Sequence, residues 1–478
     1  MPFSSNTDNT DPRANPSASY RIIHKLAYLL SARWVRDVLH TVFLIYLARI
    51  SASTYGEFML ALGLSSILLL VAEFGLNLSL VGLLAKKDRD PAEALSQVSL
   101  LKGGLLALAF LGVAGFIYWQ DYAYPLKQVM LVINAGVGLE ALATTFFVAL
   151  QVQGRQPVEG KIKVLAAVLG FGYGLLALFL GAPPLVVAFF KLIETLVNLA
   201  GGFWVISAQK LWRWRRPSLA RLGATLKLGL IFALMEITAA IYNKANLFYL
   251  QKYGGADGVA QYSATWQVVD GFSGLAANLL LQSVLFPLFA QLWDSDRKEV
   301  SRLAQDTARW LLIVALPLMF VLFVESDRII TLIFGPHYQA AIWMQKYLVI
   351  TIFFGFFHNL AAFLMMSMRL ERLLLTFYLT GLVFNLIWCS LVIPLNPLLG
   401  AALAIVLTKG VVAALTISFT QHRLGLFPWR TVGPLALAAV LGLALYLAGQ
   451  AYLPREAAEI LALIPLLTLA WHWWRGRG

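Results

Sequence analysis

Long apolar runs recur along these 478 residues, and about 20 apolar residues is the length of a helix that crosses the hydrocarbon core of a bilayer. The runs lie at about 22–48, 57–84, 97–119, 126–150, 164–181, 185–208, 224–250, 259–289, 304–325, 341–367, 373–393, 398–420, 431–450 and 457–474, fourteen in all. They are uniformly apolar, without the alternation of a barrel strand, and a bilayer admits only helices or closed barrels as spanning structures. The expectation is an all-α polytopic membrane protein. Composition agrees: 13% of residues are charged, about half the share in soluble domains. A single cysteine, Cys389, excludes an intrachain disulfide and a cysteine metal cluster. Residues 1–19 are polar and read as a disordered tail without the pattern of a signal peptide.

The net charge of +13 does not point to nucleic acid, because the basic residues gather in alternate short loops. With the N-terminus inside, twenty-five lysines and arginines fall on the cytoplasmic side and six on the other. That asymmetry predicts cytoplasmic N- and C-termini. The most basic loop, Lys210-Leu211-Trp212-Arg213-Trp214-Arg215-Arg216-Pro217, reads as a topology anchor with interfacial tryptophans. It also divides the chain into an N-lobe at 20–208, a linker at 209–223, a C-lobe at 224–421, and two further helices with the C-terminus at 422–478. A weak internal repeat fits this division. Leu44-Ile45-Tyr46-Leu47 is echoed by Leu247-Phe248-Tyr249-Leu250, and Leu150 to Arg155 by Leu364 to Arg369. Both halves begin inside, so the repeats are parallel.

Charge inside the apolar runs is the second constraint. Arg33, Arg36, Asp37 and His40 follow i, i+3, i+4, i+7 spacing and project from one helix face. A charge at the centre of an isolated span costs roughly 2.5–3.5 kcal/mol on insertion scales, so this stripe should face protein or water. Snorkelling to the headgroups would serve for Arg33 and less well for Arg36 and His40, one to two turns deeper. The six in-span cations, Arg33, Arg36, Lys102, Lys191, Lys244 and Lys409, are matched by Asp37, Glu73, Glu140, Glu194, Glu236 and Asp270. Lys191 and Glu194, at i, i+3, should pair locally. Lys244 sits in the polar patch Tyr242-Asn243-Lys244-Ala245-Asn246, in the repeat counterpart of the first span. Two repeat-related helices with basic charge suggest an anion-binding cavity made of Arg33, Arg36, Asn243 and Lys244. A lysine paired with Glu236 or Asp270 is the alternative. Asp37, Glu73 and Asp270 are the candidate coupling or cavity acids. No nucleotide-binding or hydrolase motif stands out and the outer loops are short, so the chain reads as a secondary transporter rather than an enzyme.

Asp327-Arg328-Ile329-Ile330-Thr331-Leu332-Ile333-Phe334-Gly335-Pro336-His337-Tyr338, followed by Ala340 and Ala341, resembles a signature before the tenth span of Wzx-type polysaccharide (O-antigen) flippases. These form the polysaccharide transport branch of the multidrug/oligosaccharidyl-lipid/polysaccharide exporter superfamily. Arg369-Leu370-Glu371-Arg372, Asn385, Ile393-Pro394-Leu395 and Gly400-Ala401-Ala402 continue the likeness. So do Leu47-Ala48-Arg49, Tyr55-Gly56-Glu57-Phe58, Glu73-Phe74-Gly75-Leu76, Gly258 with Tyr262, and Phe286-Pro287. The resemblance spans about residues 25 to 425 and implies two parallel-repeat six-helix lobes with two C-terminal helices, working by alternating access. It implies an undecaprenyl-pyrophosphate-linked oligosaccharide as substrate, moved from the inner to the outer leaflet of the bacterial inner membrane during lipopolysaccharide synthesis. No cofactor is implied beyond a coupling ion, H+ or Na+. The implied partners are a polysaccharide polymerase and chain-length machinery. The family often has an aspartate three residues after the asparagine of the seventh span, where this chain has Asn246, which shifts ion coupling to Glu73 or Asp270 or away from that site. A lipid II flippase is the nearest alternative. A drug/cation antiporter would want an acidic cavity, and a membrane sugar polymerase a larger outer loop.

Overall fold

The computed structural model describes residues 16–84, 90–212, 219–276 and 285–475, and every regular element among them is a helix. The tail to residue 15 and the basic runs holding Lys86, Lys87, Arg89, Arg213, Arg215 and Arg216 lie outside the described residues. The chain opens with α1 (Pro16–Ile50), α2 (Ala52–Glu73), α3 (Leu76–Leu84), α4 (Pro91–Trp119), α5 (Tyr124–Val152), α6 (Gln156–Phe179) and α7 (Pro184–Ala208). Next come α8 (Leu219–Ala276), α9 (Phe286–Trp293), α10 (Arg297–Val324), α11 (Ser326–Phe334), α12 (Gln339–Leu348) and α13 (Ile350–Ser367). The last four are α14 (Glu371–Val392), α15 (Pro397–Leu424), α16 (Trp429–Gly449) and α17 (Arg455–Arg475).

Among the described residues, eleven helical segments are long and apolar enough to cross a membrane, α12 and α13 counting as one. The expected count of fourteen is therefore not confirmed. α1 and α8 are not among the eleven. α1 carries Arg33, Arg36 and Asp37, and α8 carries Glu236, Lys244, Lys252, Asp257 and Asp270. Two helices meet inside α8 at Gly255, whose φ of 68° is a conformation that glycine reaches without steric cost. The expected span 57–84 is not one helix either: Phe74 and Gly75, at φ 44° and 66°, separate α2 from α3. Apolar residues continue on both sides of that break, so the sequence pattern does not register it. Helix starts are legible locally. α4 to α7 each have proline in the first turn, where no helical N–H is lost, and Asp90 caps α4 by accepting from the Ala92 N–H at 3.0 Å.

The chain divides into two compact units, Met1–Leu47 with Leu64–Ala233, and Ala48–Gly63 with Leu234–Gly478. The division falls within α2 and α8, and residues 209–223 go with the first unit. In the first unit Leu76 and Leu80 of α3, Leu95 and Val98 of α4, Phe146 and Leu150 of α5, and Ile206 of α7 form one buried cluster.

In the second unit the stretch around Phe334 to Ala341 is a packed corner. α11 ends at Gly335, whose φ of 101° again suits glycine alone, and Tyr338 turns back to full burial. Its hydroxyl donates to the Ala48 carbonyl at 3.1 Å. Ala48 is in the last turn of α1, where carbonyls have no helical partner. Arg49 beside it donates from Nε to the Ile333 carbonyl at 2.9 Å and from Nη2 to that of Leu332. Gln261 bridges the His337 carbonyl at 2.8 Å and the Ala341 N–H at 3.0 Å. Tyr55 packs on Phe334 and Tyr338, with ring centroids 6.1 and 6.3 Å away. The C-terminal helices join the same unit. Arg455 pairs with Asp327 at 2.7 Å, Glu325 at 2.8 Å and Glu459 at 3.2 Å, and Arg328 pairs with Glu456 at 2.8 Å.

Tyr338→Ala should therefore lower the thermal unfolding midpoint of the detergent-purified protein by an amount equivalent to about 3–5 kcal/mol, as for deletion of other buried rings. Tyr338→Phe should cost only the hydrogen bond, about 0.5–1.5 kcal/mol. Equal midpoints for the two variants would show that ring packing plays no part.

Candidate functional site

The charged stripe of α1 divides in two. Arg33 and Asp37 form an exposed i, i+4 pair at 3.7 Å, a geometry of small energetic consequence. Arg36 turns inward and meets partners more than a hundred residues away. Its Nε donates to Glu194 Oε1 at 2.7 Å and its Nη2 to Glu140 Oε1 at 3.0 Å. Lys191 completes the circuit, with Nζ 3.0 Å from Glu140 Oε2 and 2.8 Å from Glu194 Oε2. Each carboxylate thus gives one oxygen to the guanidinium and the other to the ammonium. The result is a ring of two cations and two anions that ties α1, α5 and α7 together. Glu194 is 1% exposed and Lys191 7%. Below the ring His40 lies against Phe171, with centroids 5.5 Å apart, and Phe43 against Phe190 at 4.4 Å.

The Arg36 guanidinium is therefore not open. Two of its nitrogens are already engaged, and the cluster carries no net charge. Removing one member of such a ring would strand the others in an apolar surrounding, which is what makes buried pairs costly to break. The expected Lys191–Glu194 pair is present. Glu140, whose role the sequence left open, is its counterpart across the ring.

Glu73 belongs to a second network of the first unit. Its Oε1 accepts from Asn77 Nδ2 at 3.0 Å and Thr144 Oγ1 at 2.9 Å. The fully buried Lys102 donates to Asn77 Oδ1 at 2.7 Å, the Ala141 carbonyl at 2.8 Å and Thr144 Oγ1 at 3.2 Å. Three acceptors satisfy the three ammonium protons. Carboxylate and ammonium are linked through an amide and a hydroxyl, beside the break between α2 and α3.

The second unit holds a cavity of about 230 Å³ lined by residues of α8, α13, α14 and α15. Asn243 and Asp270 line it, joined by Tyr242, His358, Asn359, Tyr378 and Lys409. Lys244 is not among the lining residues. Its Nζ stands 6.0 Å over the Trp266 ring, and the lysine paired with Asp270 is Lys409, at 3.5 Å and 4.5 Å over the same ring. Asn246, at the position of the departed aspartate, is buried and donates to the Ala401 carbonyl at 3.1 Å. His358 and Tyr378 were not singled out in the sequence, although a histidine within an apolar run is a signal of the same kind as Arg36. His358 lies between two hydroxyls, with Nδ1 3.2 Å from Thr416 Oγ1 and Nε2 3.1 Å from the Tyr378 hydroxyl. Arg36 and Lys244 belong to different units.

Among the described residues the chain is all-helical, with apolar segments of membrane-spanning length and charged clusters set among them. It is similar in fold to the lipid II flippase MurJ in an inward closed conformation, with a TM-score of 0.72 at 12% identity, covering 94% of this chain and 99% of that one. It is also similar to an inward-facing multidrug resistance MATE family transporter of the MOP superfamily, with a TM-score of 0.63 at 13% identity over 82% and 94% of the chains. Residues 46–343 match the polysaccharide biosynthesis protein family, and the chain belongs to that family. The teichuronic acid biosynthesis protein TuaB of Bacillus subtilis (strain 168) is 24% identical over 199 residues, 40% of this chain and 39% of its own length. The match therefore spans about two fifths of that relative.

The charge ring makes its own prediction. Glu194→Ala should destabilise the protein by about 3–5 kcal/mol, because it leaves the buried Lys191 and the half-buried Arg36 sharing one carboxylate. The double variant Arg36→Leu/Glu194→Leu, which removes one charge of each sign, should lose clearly less. Thermal unfolding of single and double variants reads the difference, and additive losses would show that the ring is not a coupled unit.

Proposed function

We propose that the protein is a flippase that carries an undecaprenyl-pyrophosphate-linked oligosaccharide from the inner to the outer leaflet of the bacterial cytoplasmic membrane by alternating access. In this reading both termini are cytoplasmic, and α1 and the two halves of α8 cross the membrane with the eleven apolar segments. The observation that carries it is the charge ring. A chain of a polysaccharide biosynthesis family holds Arg36, Lys191, Glu140 and Glu194 in one partly buried cluster, where an anion can compete for the cations. A pyrophosphate suits the guanidinium fork as a carboxylate does, so it displaces Glu140 or Glu194 rather than filling an open site. The freed carboxylate is then short of a counter-charge, and proton uptake restores neutrality. Anion entry and H+ coupling thus meet at the same residues, with Glu73 as a second acid. Arg33 and Asp37 take no part beyond their exposed pair. Lys244 and Asn243 serve the cavity of the second unit with Asp270.

A lipid II flippase satisfies the same chemistry and differs only in the sugar. A cation antiporter is disfavoured by Lys409, which lines the cavity.

Mass spectrometry of lipid-linked intermediates in a deletion strain tests the reading. Complete repeat units should accumulate on undecaprenyl pyrophosphate, whereas unchanged intermediates would point to an antiporter and export of single unpolymerised units to a polymerase. In complemented cells Arg36→Ala should cut export by roughly tenfold or more, the kinetic equivalent of one charged hydrogen bond of about 1.5–3 kcal/mol, with the protein still present in the membrane. Normal export in that variant would sink the role of Arg36.

A further inference from the structure

The cavity of the second unit has a hydrogen-bonding character unlike that of the charge ring. We infer that it is a subsite for one monosaccharide ring of the transported oligosaccharide, and that the pyrophosphate does not bind there. The inference rests on the flippase reading and gives the cavity a ligand class that the reading leaves open.

Size and shape come first. At about 230 Å³ the cavity has room for a single six-membered ring. Phe354 and Tyr242 present apolar ring surface to it, the kind of wall against which the C–H face of a sugar packs.

The polar groups decide the chemistry. Asn243 spends its Nδ2 on the Ala239 carbonyl at 2.8 Å, so only the amide oxygen is left, and that oxygen is buried without a partner. Asp270 holds Lys409 through Oδ1 at 3.5 Å, and its other oxygen remains an acceptor. Asn359 and the Tyr242 hydroxyl make no hydrogen bond among the described residues and can both donate and accept. Lys409 supplies donors. The set is therefore mixed, with at least two fixed acceptors. A phosphate oxygen offers only acceptors and would be set against Asp270 and the Asn243 oxygen. A hydroxyl donates and accepts at once, and adjacent hydroxyls on a ring use both kinds of partner. The His358–Tyr378–Thr416 chain contributes rigidity, because both ring nitrogens of His358 are within hydrogen-bond distance of a hydroxyl and hold the Tyr378 ring at the cavity wall. A site with such unspent groups rejects a ligand that cannot pair them more strongly than an apolar pocket rejects a misfit.

The test uses the full chain in lipid nanodiscs. Calorimetric titration would compare methyl glycosides of a neutral hexose, an N-acetylhexosamine and a uronic acid with inorganic pyrophosphate. At least one glycoside should bind, Asp270→Asn and Asn359→Ala should each weaken it about tenfold, the loss of roughly 1.4 kcal/mol, and pyrophosphate should not compete. Competition by pyrophosphate, or no binding by any glycoside, overturns the subsite. If Asn359→Ala does not reach the membrane, the near-isosteric Asp270→Asn carries the comparison. In cells the two ideas separate. A deletion strain that accumulates lipid-linked repeat units, but is restored to full export by Asp270→Asn/Asn359→Ala, retains the flippase reading and removes the subsite. A deletion strain without accumulation removes the flippase reading itself.

Discussion

Charge placed among apolar helices must be neutralised where it stands, and the ring of Arg36, Glu140, Lys191 and Glu194 is where this chain meets that requirement most fully. Four contacts of 2.7–3.0 Å join three helices far apart in sequence. Helix association within a bilayer has no hydrophobic drive of its own and relies on packing and polar contacts. The ring therefore positions α1 as well as lowering the cost of its arginine. Lys102 shows another solution to the same problem, with three neutral acceptors around the ammonium and Glu73 one link further away.

Satisfied and unsatisfied networks have different uses. A closed network rigidifies, and a partly open one is costly unless something else completes it. In the first unit the charge ring and the Glu73–Lys102 network close on themselves. In the second unit Asn243, Asn359 and Tyr242 keep unspent capacity around a cavity. That contrast, rather than the presence of charge, separates residues that hold helices in place from residues placed to meet a ligand.

Much of this was legible in the sequence, and the limits have physical causes. The helical class follows from the length of the apolar runs, and the local pair Lys191–Glu194 from helical spacing. Arg36 could be recognised as costly, but its partners could not, because Glu140 and Glu194 lie 104 and 158 residues away and no periodicity encodes a tertiary contact. The breaks at Phe74–Gly75 and Gly255 were equally silent, since the backbone turns while hydropathy stays high. The Phe334 to Tyr338 stretch stood out by resemblance, and the structure supplies its reason. Gly335 reverses the chain, and Tyr338 caps the Ala48 carbonyl at the end of α1.

A lipid-linked oligosaccharide presents two dissimilar ends, a compact anion and a neutral or weakly charged polyol. One type of site cannot serve both. Cations that stay unpaired in an apolar surrounding would be expensive, so a pyrophosphate site in such a place has to arrive already neutralised and exchange partners. A polyol site built of amides, hydroxyls and an already paired Lys409 and Asp270 faces less of this cost and can wait solvated. In the proposed reading the ring of the first unit and the cavity of the second have these two characters respectively. The charges legible in the sequence as a single anion-binding constellation therefore belong to two sites with different chemistry.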